Sequence, residues 1–152
     1  MLPIKKILWP TDFSEPSYEA LKTAQELAGH FSAELYILHV VTPIPMLSSA
    51  TGPSGFDVGD FHEQLMDTSK ESLKDIVKDK IAKKIKTHTR VVMGRAPDEI
   101  VSTAEKVKAD LIVISTHGET GWRHLVFGSV AEKVVRFSSC PVLTIRKPDN
   151  GN

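Results

Sequence analysis

The chain has a single cysteine, Cys140, among its 152 residues. An internal disulfide is therefore excluded, and a lone thiol fits a reducing compartment. Long apolar runs are also missing. None approaches the ~20 residues that a membrane span requires. The opening MLPIKKILWPTDF is interrupted by Asp12 and has no small-residue cleavage site, so it does not read as a signal peptide. Together these absences predict a cytoplasmic protein with no membrane partner. Net charge is absent too, because 19 Lys and Arg balance 19 Asp and Glu. Without a global basic field, nucleic acid is not an expected partner.

Several catalytic and cofactor patterns are likewise missing. The phosphate loop G-x4-G-K-[S/T] does not occur. The turn after the first predicted strand holds no glycine, which argues against a dinucleotide-binding dehydrogenase. A flavodoxin would also bind phosphate at that turn. A response-regulator receiver needs an acceptor aspartate after the third strand, where Val91-Val92-Met93-Gly94 stands instead. The six histidines show no metal-ligand spacing with cysteine or with each other. No activated nucleophile is evident, so an enzyme is not expected.

What is present is a regular alternation. Residues 5–9 form a short apolar run, with Pro10 at its end. Ser14 suits a helix N-cap, and Glu15 and Pro16 suit a first turn. Ala20, Leu21, Ala24, Leu27 and Ala28 then share one helical face, with Gly29 as the expected stop. Glu34–Val41 reads as a second buried strand. Residues 42–60 are dense in Pro, Gly and Ser and predict a long loop, either a spacer or a contact element. A long helix follows, with Phe61, Leu65, Leu73, Ile76 and Ile81 on one face. Its far end is expected to carry Lys78, Lys80, Lys83, Lys84 and Lys86 as a solvated face. Residues 89–93 give a third strand. Pro97, Asp98 and Glu99 open a third helix, in which Ile100, Val101, Ala104 and Val107 face inward. Residues 111–114 form a fourth strand, and a helix from Ser129 to about Phe137 places Val130, Val134 and Val135 inward. Residues 141–145 form a fifth strand, with Cys140 buried at its start, and the tail is polar.

This order predicts an α/β fold: a parallel five-stranded sheet covered by helices on both faces. Right-handed crossovers favour the strand order 3-2-1-4-5, a Rossmann-like three-layer arrangement. One domain over residues 1–147 is expected, with residues 148–152 as a tail. The order reverses between the first and fourth strands, and ligands in open α/β sheets bind beyond the strand ends at such a point. Pro10-Thr11-Asp12 and residues 115–121 should therefore face each other across one cleft.

An anion suits the helix start at Gly128-Ser129, where free N–H groups and the helix dipole both favour it. Ser129 can cap that helix or turn its hydroxyl to a phosphate. Gly118 would let phosphates lie against the loop. Asp12 either accepts hydrogen bonds from an amine or a ribose hydroxyl, or caps the turn into the first helix. His117 either approaches phosphate or bonds locally within the loop.

The chain resembles the universal stress protein family over nearly its whole length. The family's P-T-D-F-S opening stands here as Pro10-Thr11-Asp12-Phe13-Ser14. Its G-x2-G-x9-G-[S/T] signature appears as Ser115-x2-Gly118-x9-Gly128-Ser129, and GSVAEKVVRFSSCPVLTIR is similar to its closing helix and strand. The resemblance implies a stress-response regulator that binds ATP or AMP, with Mg arriving on the phosphates. It places Asp12 and the Val40 backbone at the base. It places Ser115, Gly118, Gly128, Ser129 and Val130 around ribose and phosphates. It also implies a homodimer paired through Val142, Leu143, Thr144 and Ile145, signalling to a further protein partner. The alternative is a dimeric interaction module of the same fold that binds no nucleotide.

The chain departs from the signature at Ser115, where the family has glycine. If that position needs positive φ, serine costs of order 1–2 kcal/mol, enough to weaken binding about tenfold. If φ is ordinary, the hydroxyl is free to donate to phosphate.

Overall fold

In the computed structural model, residues 2–45, 57–117 and 128–147 are described. Among the described residues five strands and four helices alternate: β1 Lys6–Pro10, α1 Glu15–Phe31, β2 Glu34–Val41, α2 Val58–Lys80, β3 Thr87–Met93, α3 Ala96–Val107, β4 Leu111–Ser115, α4 Ser129–Phe137 and β5 Val142–Ile145. All strands pair in parallel, in the order β3-β2-β1-β4-β5. The expected α/β architecture and its strand order are both found.

The sheet is buried on both faces, and the period of two divides its side chains between two cores. Ile7, Trp9, Leu35, Ile37 and Val113 pack with α1 and α2 residues such as Leu21, Ala24 and Leu73. Leu8, Leu38, Ile112 and Ile114 pack with Ile100, Ala104, Ala131 and Val134 of α3 and α4. Each fully buried Leu or Ile contributes about 1.5–3 kcal/mol. Trp9 is fully buried, and its indole N–H donates to Ser17 O at 3.0 Å, tying β1 to the first turn of α1.

Several element bounds differ from those expected. α1 continues past Gly29 to Phe31, and Ser32 takes the left-handed cap position (φ 54°), its N–H bonding Ala28 O. α2 starts at Val58, inside the expected loop, because the Asp57 side chain accepts from the N–H groups of Gly59 and Asp60. It ends at Lys80, so Lys83, Lys84 and Lys86 lie beyond it. There Gln25 of α1 clamps the chain: its Nε2 donates to Lys80 O (2.9 Å), and its Oε1 accepts from Ala82 N (3.0 Å). β3 begins two residues early because Thr87 pairs with Leu35. β1 spans Lys6–Pro10, Ser115 completes β4, and β5 begins at Val142. On α4, Val134 is fully buried but Val135 is 46% exposed. Cys140 is only half-buried. Residues 46–56, in the expected loop, and the tail from residue 148 lie outside the described residues.

Candidate functional site

The switch point lies between β1 and β4, as the strand order requires. On the β1 side the chain leaves the sheet through Thr11, whose N–H donates to Leu38 O at 2.8 Å. Thr11, Ser14 and Ser17 are buried hydroxyl residues. The Ser17 hydroxyl donates to Thr11 Oγ1 (2.6 Å), which also accepts from Phe13 N (3.0 Å). Asp12 Oδ1 accepts from the Ser14 N–H (3.0 Å) and the Ser14 hydroxyl. Asp12 thus caps the turn, the second of its two expected roles. It also lines the cleft, and its Oδ2 makes no hydrogen bond among the described residues.

The turn is strained at Phe13, which sits at φ 65°. A left-handed backbone costs a bulky L-residue of order 1–2 kcal/mol. Two contacts with β2 offset that cost. The His39 ring packs on Phe13 with centroids 4.3 Å apart, and His39 Nδ1 donates to Thr11 O at 2.8 Å. Nearby, the Tyr18 phenol is pushed up by burial and then by the negative charges of Glu15 and Asp12.

On the β4 side, Ser115 is not among the positive-φ residues, which other than glycine are Phe13, Ser32 and Lys108 among the described residues. Serine therefore brings no backbone strain here. Its hydroxyl is engaged, donating to His117 O at 2.8 Å. Thr116, buried and not anticipated as a site residue, is a junction: its N–H donates to Ile145 O (2.9 Å) and its O accepts from Gly128 N. Gly128 is the N-cap of α4, with φ −69° and ψ 155°, and makes no side-chain cap bond. Ser129 is the first helical residue rather than the cap. The glycine is needed for space: a Cβ at Gly128 would lie 2.8 Å from Thr116 O. This contact holds the α4 N-terminus against the end of β4, where Gly128, Ser129 and Val130 line the cleft.

The two sides enclose a cavity of about 340 Å³, within the size range of small-molecule sites. Pro10, Thr11, Asp12, Val40, Ser115, Gly128, Ser129 and Val130 all line it. Of the remaining expected site residues, Gly118 lies outside the described residues. His117 does not line the cavity. Its Nδ1 lies 2.9 Å from Thr116 Oγ1, as a locally bonded loop residue. Leu38, Ile114, Ile100 and Ala96 also line the cavity and were not anticipated. The last two sit at the start of α3, and the rule that ligands bind beyond strand C-termini could have found them through the Pro97-Asp98-Glu99 helix start.

The cavity thus sets apolar side chains (Leu38, Val40, Ile100, Ile114) beside hydroxyl residues (Thr11, Ser17, Ser115, Thr116, Ser129). A carboxylate-bearing turn and a helix N-terminus both line it. It can hold a ligand with a flat apolar body, donors on one edge and an anionic group opposite. Among the described residues, no three His, Cys, Asp or Glu are grouped to hold a metal ion. No helix among them is long and apolar enough to cross a membrane.

Comparison with known proteins places this architecture. The profile of the Universal stress protein family matches residues 3–146. Universal stress protein MJ0531 of Methanocaldococcus jannaschii is 41% identical over 144 residues, covering 95% of this chain and 83% of that protein. The structure of MJ0577 from the same organism aligns with a TM-score of 0.81 at 30% identity, covering 97% of this chain and 99% of that one. A universal stress protein from Archaeoglobus fulgidus in complex with dAMP shares the fold, with a TM-score of 0.60 at 24% identity over 95% and 99% of the two chains.

Proposed function

This chain belongs to the universal stress protein family, and on that premise we propose that it binds ATP or a related adenine nucleotide and acts as a stress-response regulator rather than an enzyme. One observation carries the reading: the Asp12 turn, an apolar floor and the α4 N-terminus meet in one cavity of about 340 Å³. The base would lie on Leu38, Val40 and Ile100, its exocyclic amine or the ribose donating to the free oxygen of Asp12. The Val40 backbone would meet the base edge. Phosphates would lie near Ser115, Gly118, Gly128, Ser129 and Val130, where backbone N–H groups and the α4 dipole favour anions. Magnesium would be carried by the phosphates. The fold accommodates such a ligand in the Archaeoglobus protein, described with dAMP.

The same reading includes a cytoplasmic, single-domain protein over residues 1–147 that pairs as a homodimer through β5 and signals to a protein partner. β5 is an edge strand, and Leu143 on it is 37% exposed. An apolar edge needs a cover, and a second copy supplies one. Light scattering at micromolar concentration should give twice the chain mass. A monomeric mass would remove the dimer from the reading.

The nucleotide reading is tested by a thermal melt with millimolar Mg-ATP, with AMP and GTP as controls. A ligand at 100 times its Kd stabilises by about 2.7 kcal/mol, a rise of roughly 5–11 °C for a chain this size. Stabilisation by ATP but not GTP is expected. No rise, in protein that native mass spectrometry shows to be free of nucleotide, would favour the interaction module.

A further inference from the structure

We propose that His39 is the positioning residue of this site, the group that holds the Asp12 turn in its binding geometry without touching the ligand. The inference rests on the nucleotide reading for its consequence, but its geometry stands apart from any ligand. Leu38 and Val40 line the cavity. His39, between them on β2, points to the opposite face of the sheet by the alternation of a strand. There it reaches the back of the turn.

The hydrogen bond to Thr11 carries this role, and a ring contact accompanies it. His39 Nδ1 is 2.8 Å from Thr11 O. A carbonyl only accepts, so Nδ1 carries the proton and the tautomer of the neutral ring is fixed. The Thr11 N–H is held by Leu38 O at 2.8 Å. The two peptide groups flanking Thr11 are thus anchored by adjacent residues of one strand. The second contact is the His39 ring on Phe13, at 4.3 Å between centroids. Phe13 is the one residue of the turn with a left-handed backbone (φ 65°). Bonds within the turn cap α1, and His39 ties the carbonyl side of Thr11 and the ring of Phe13 to β2. Asp12 lies between those two residues, so releasing them lets its carboxylate turn away from the cavity. A site competent for only a fraction of the time shows an apparent Kd raised by that fraction.

Two substitutions separate the ring from the donor. His39→Phe keeps a ring against Phe13 and removes the donor. His39→Asn keeps an N–H near the position of Nδ1 and removes the ring. Titration calorimetry with Mg-ATP should show His39→Phe weakened about tenfold and His39→Asn within about threefold of the native chain. Their melting temperatures without ligand should lie close together. Native-like binding by His39→Phe, or equal weakening in both variants, would overturn the proposal. Two measurements on the nucleotide-free protein keep it independent of the nucleotide reading. Long-range 1H–15N spectra should show neutral His39 protonated at Nδ1. Amide exchange at Phe13 and Ser14 should quicken in His39→Phe and not in His39→Asn. An Nε2-protonated ring, or unchanged exchange in His39→Phe, would refute the anchoring itself. A native chain that meets both expectations but binds no nucleotide would sink only the nucleotide reading. If His39→Phe does not fold, the tautomer and the affinity of His39→Asn decide.

Discussion

Replacing Gly128 with alanine offers a test in which the sign alone is informative. Gly128 has φ −69° and ψ 155°, a conformation that alanine adopts freely. Where the native backbone suits it, Gly→Ala stabilises by about 0.4–1 kcal/mol by restricting the unfolded chain. The new Cβ, however, would lie 2.8 Å from Thr116 O, a backbone atom. Thr116 cannot retreat easily, because its N–H is bonded to Ile145 O of β5. The α4 N-terminus must therefore move away from β4 by several tenths of an ångström. Forcing extra volume into a packed site costs about 1–3 kcal/mol. Net of the chain-entropy gain the loss is at most about 2.6 kcal/mol, so at about 2–4 °C per kcal/mol for a chain of this length Gly128→Ala should melt up to about 10 °C lower. Calorimetry on the nucleotide-free protein is the assay, with Ser129→Ala as the neighbouring control. An equal or higher melting temperature for Gly128→Ala would refute the reasoning. It would mean that the junction of α4 with β4 is loose, and that the close approach has no role in aiming the helix start.

Ser115→Gly should gain nothing in affinity, because Ser115 already has an ordinary φ. It removes the hydrogen bond to His117 O and adds chain freedom, at a cost of about 1–2 kcal/mol. A tenfold tighter Kd for Mg-ATP would contradict this. At the opposite end of the sheet, Glu34 accepts from Lys86 (2.9 Å) and His88 (2.7 Å). The hydrogen bonds from Lys86 and then His88 hold its carboxyl at about 2, below the ordinary 4.5. A folded value below the unfolded one favours folding above the unfolded pKa, and the advantage is lost as pH falls from about 4.5 towards 2. Carbon-detected titration of Glu34 should therefore show a midpoint near 2, and Glu34→Gln should flatten the acid limb of stability. A midpoint near 4 would show that the exposed pair is screened away.

Much of the architecture was legible because each strand is an apolar run and each helix carries a stripe. Once five strands and four helices alternate, the right-handed crossover leaves little freedom, and the reversal between β1 and β4 points to the cleft. The turn at Asp12 and the helix start at Gly128 follow from that geometry. What escaped the sequence depends on contacts between distant segments. His39 matters through a turn that precedes it by a helix and part of a strand, and nothing local marks it. Thr116 reads as an ordinary loop residue until β5 and α4 are placed on it. Gly29 suits a helix end, but the left-handed position falls to Ser32, because the helix carries on to Phe31, which packs against the core. Val135 is apolar yet exposed, because α4 packs with its Ala131 and Val134 side and the neighbouring position turns outward by a helical step. Lys83 and Lys84 were read as helix because periodicity cannot see the Gln25 clamp that ends α2.

The central strand has a consequence for how this protein is made. Ile7, Leu8 and Trp9 are fully buried, yet Leu8 pairs on one side with Ile112, synthesised long afterwards. At the usual ~5–20 residues per second, that partner emerges roughly 5–20 s later. Through that interval β1 can pair with β2, but its other edge stays open, an apolar ledge that invites wrong pairings on or near the ribosome. The N–H groups of Lys5 and Lys6 likewise wait for the Asp110 carboxylate, which receives both at 2.8 and 2.9 Å. The cavity is completed later still, when Gly128 docks on Thr116. An aborted translation product that stops after β3 would own the Asp12 turn and nothing for it to face. Ligand binding by this chain would thus report that translation has run at least through α4.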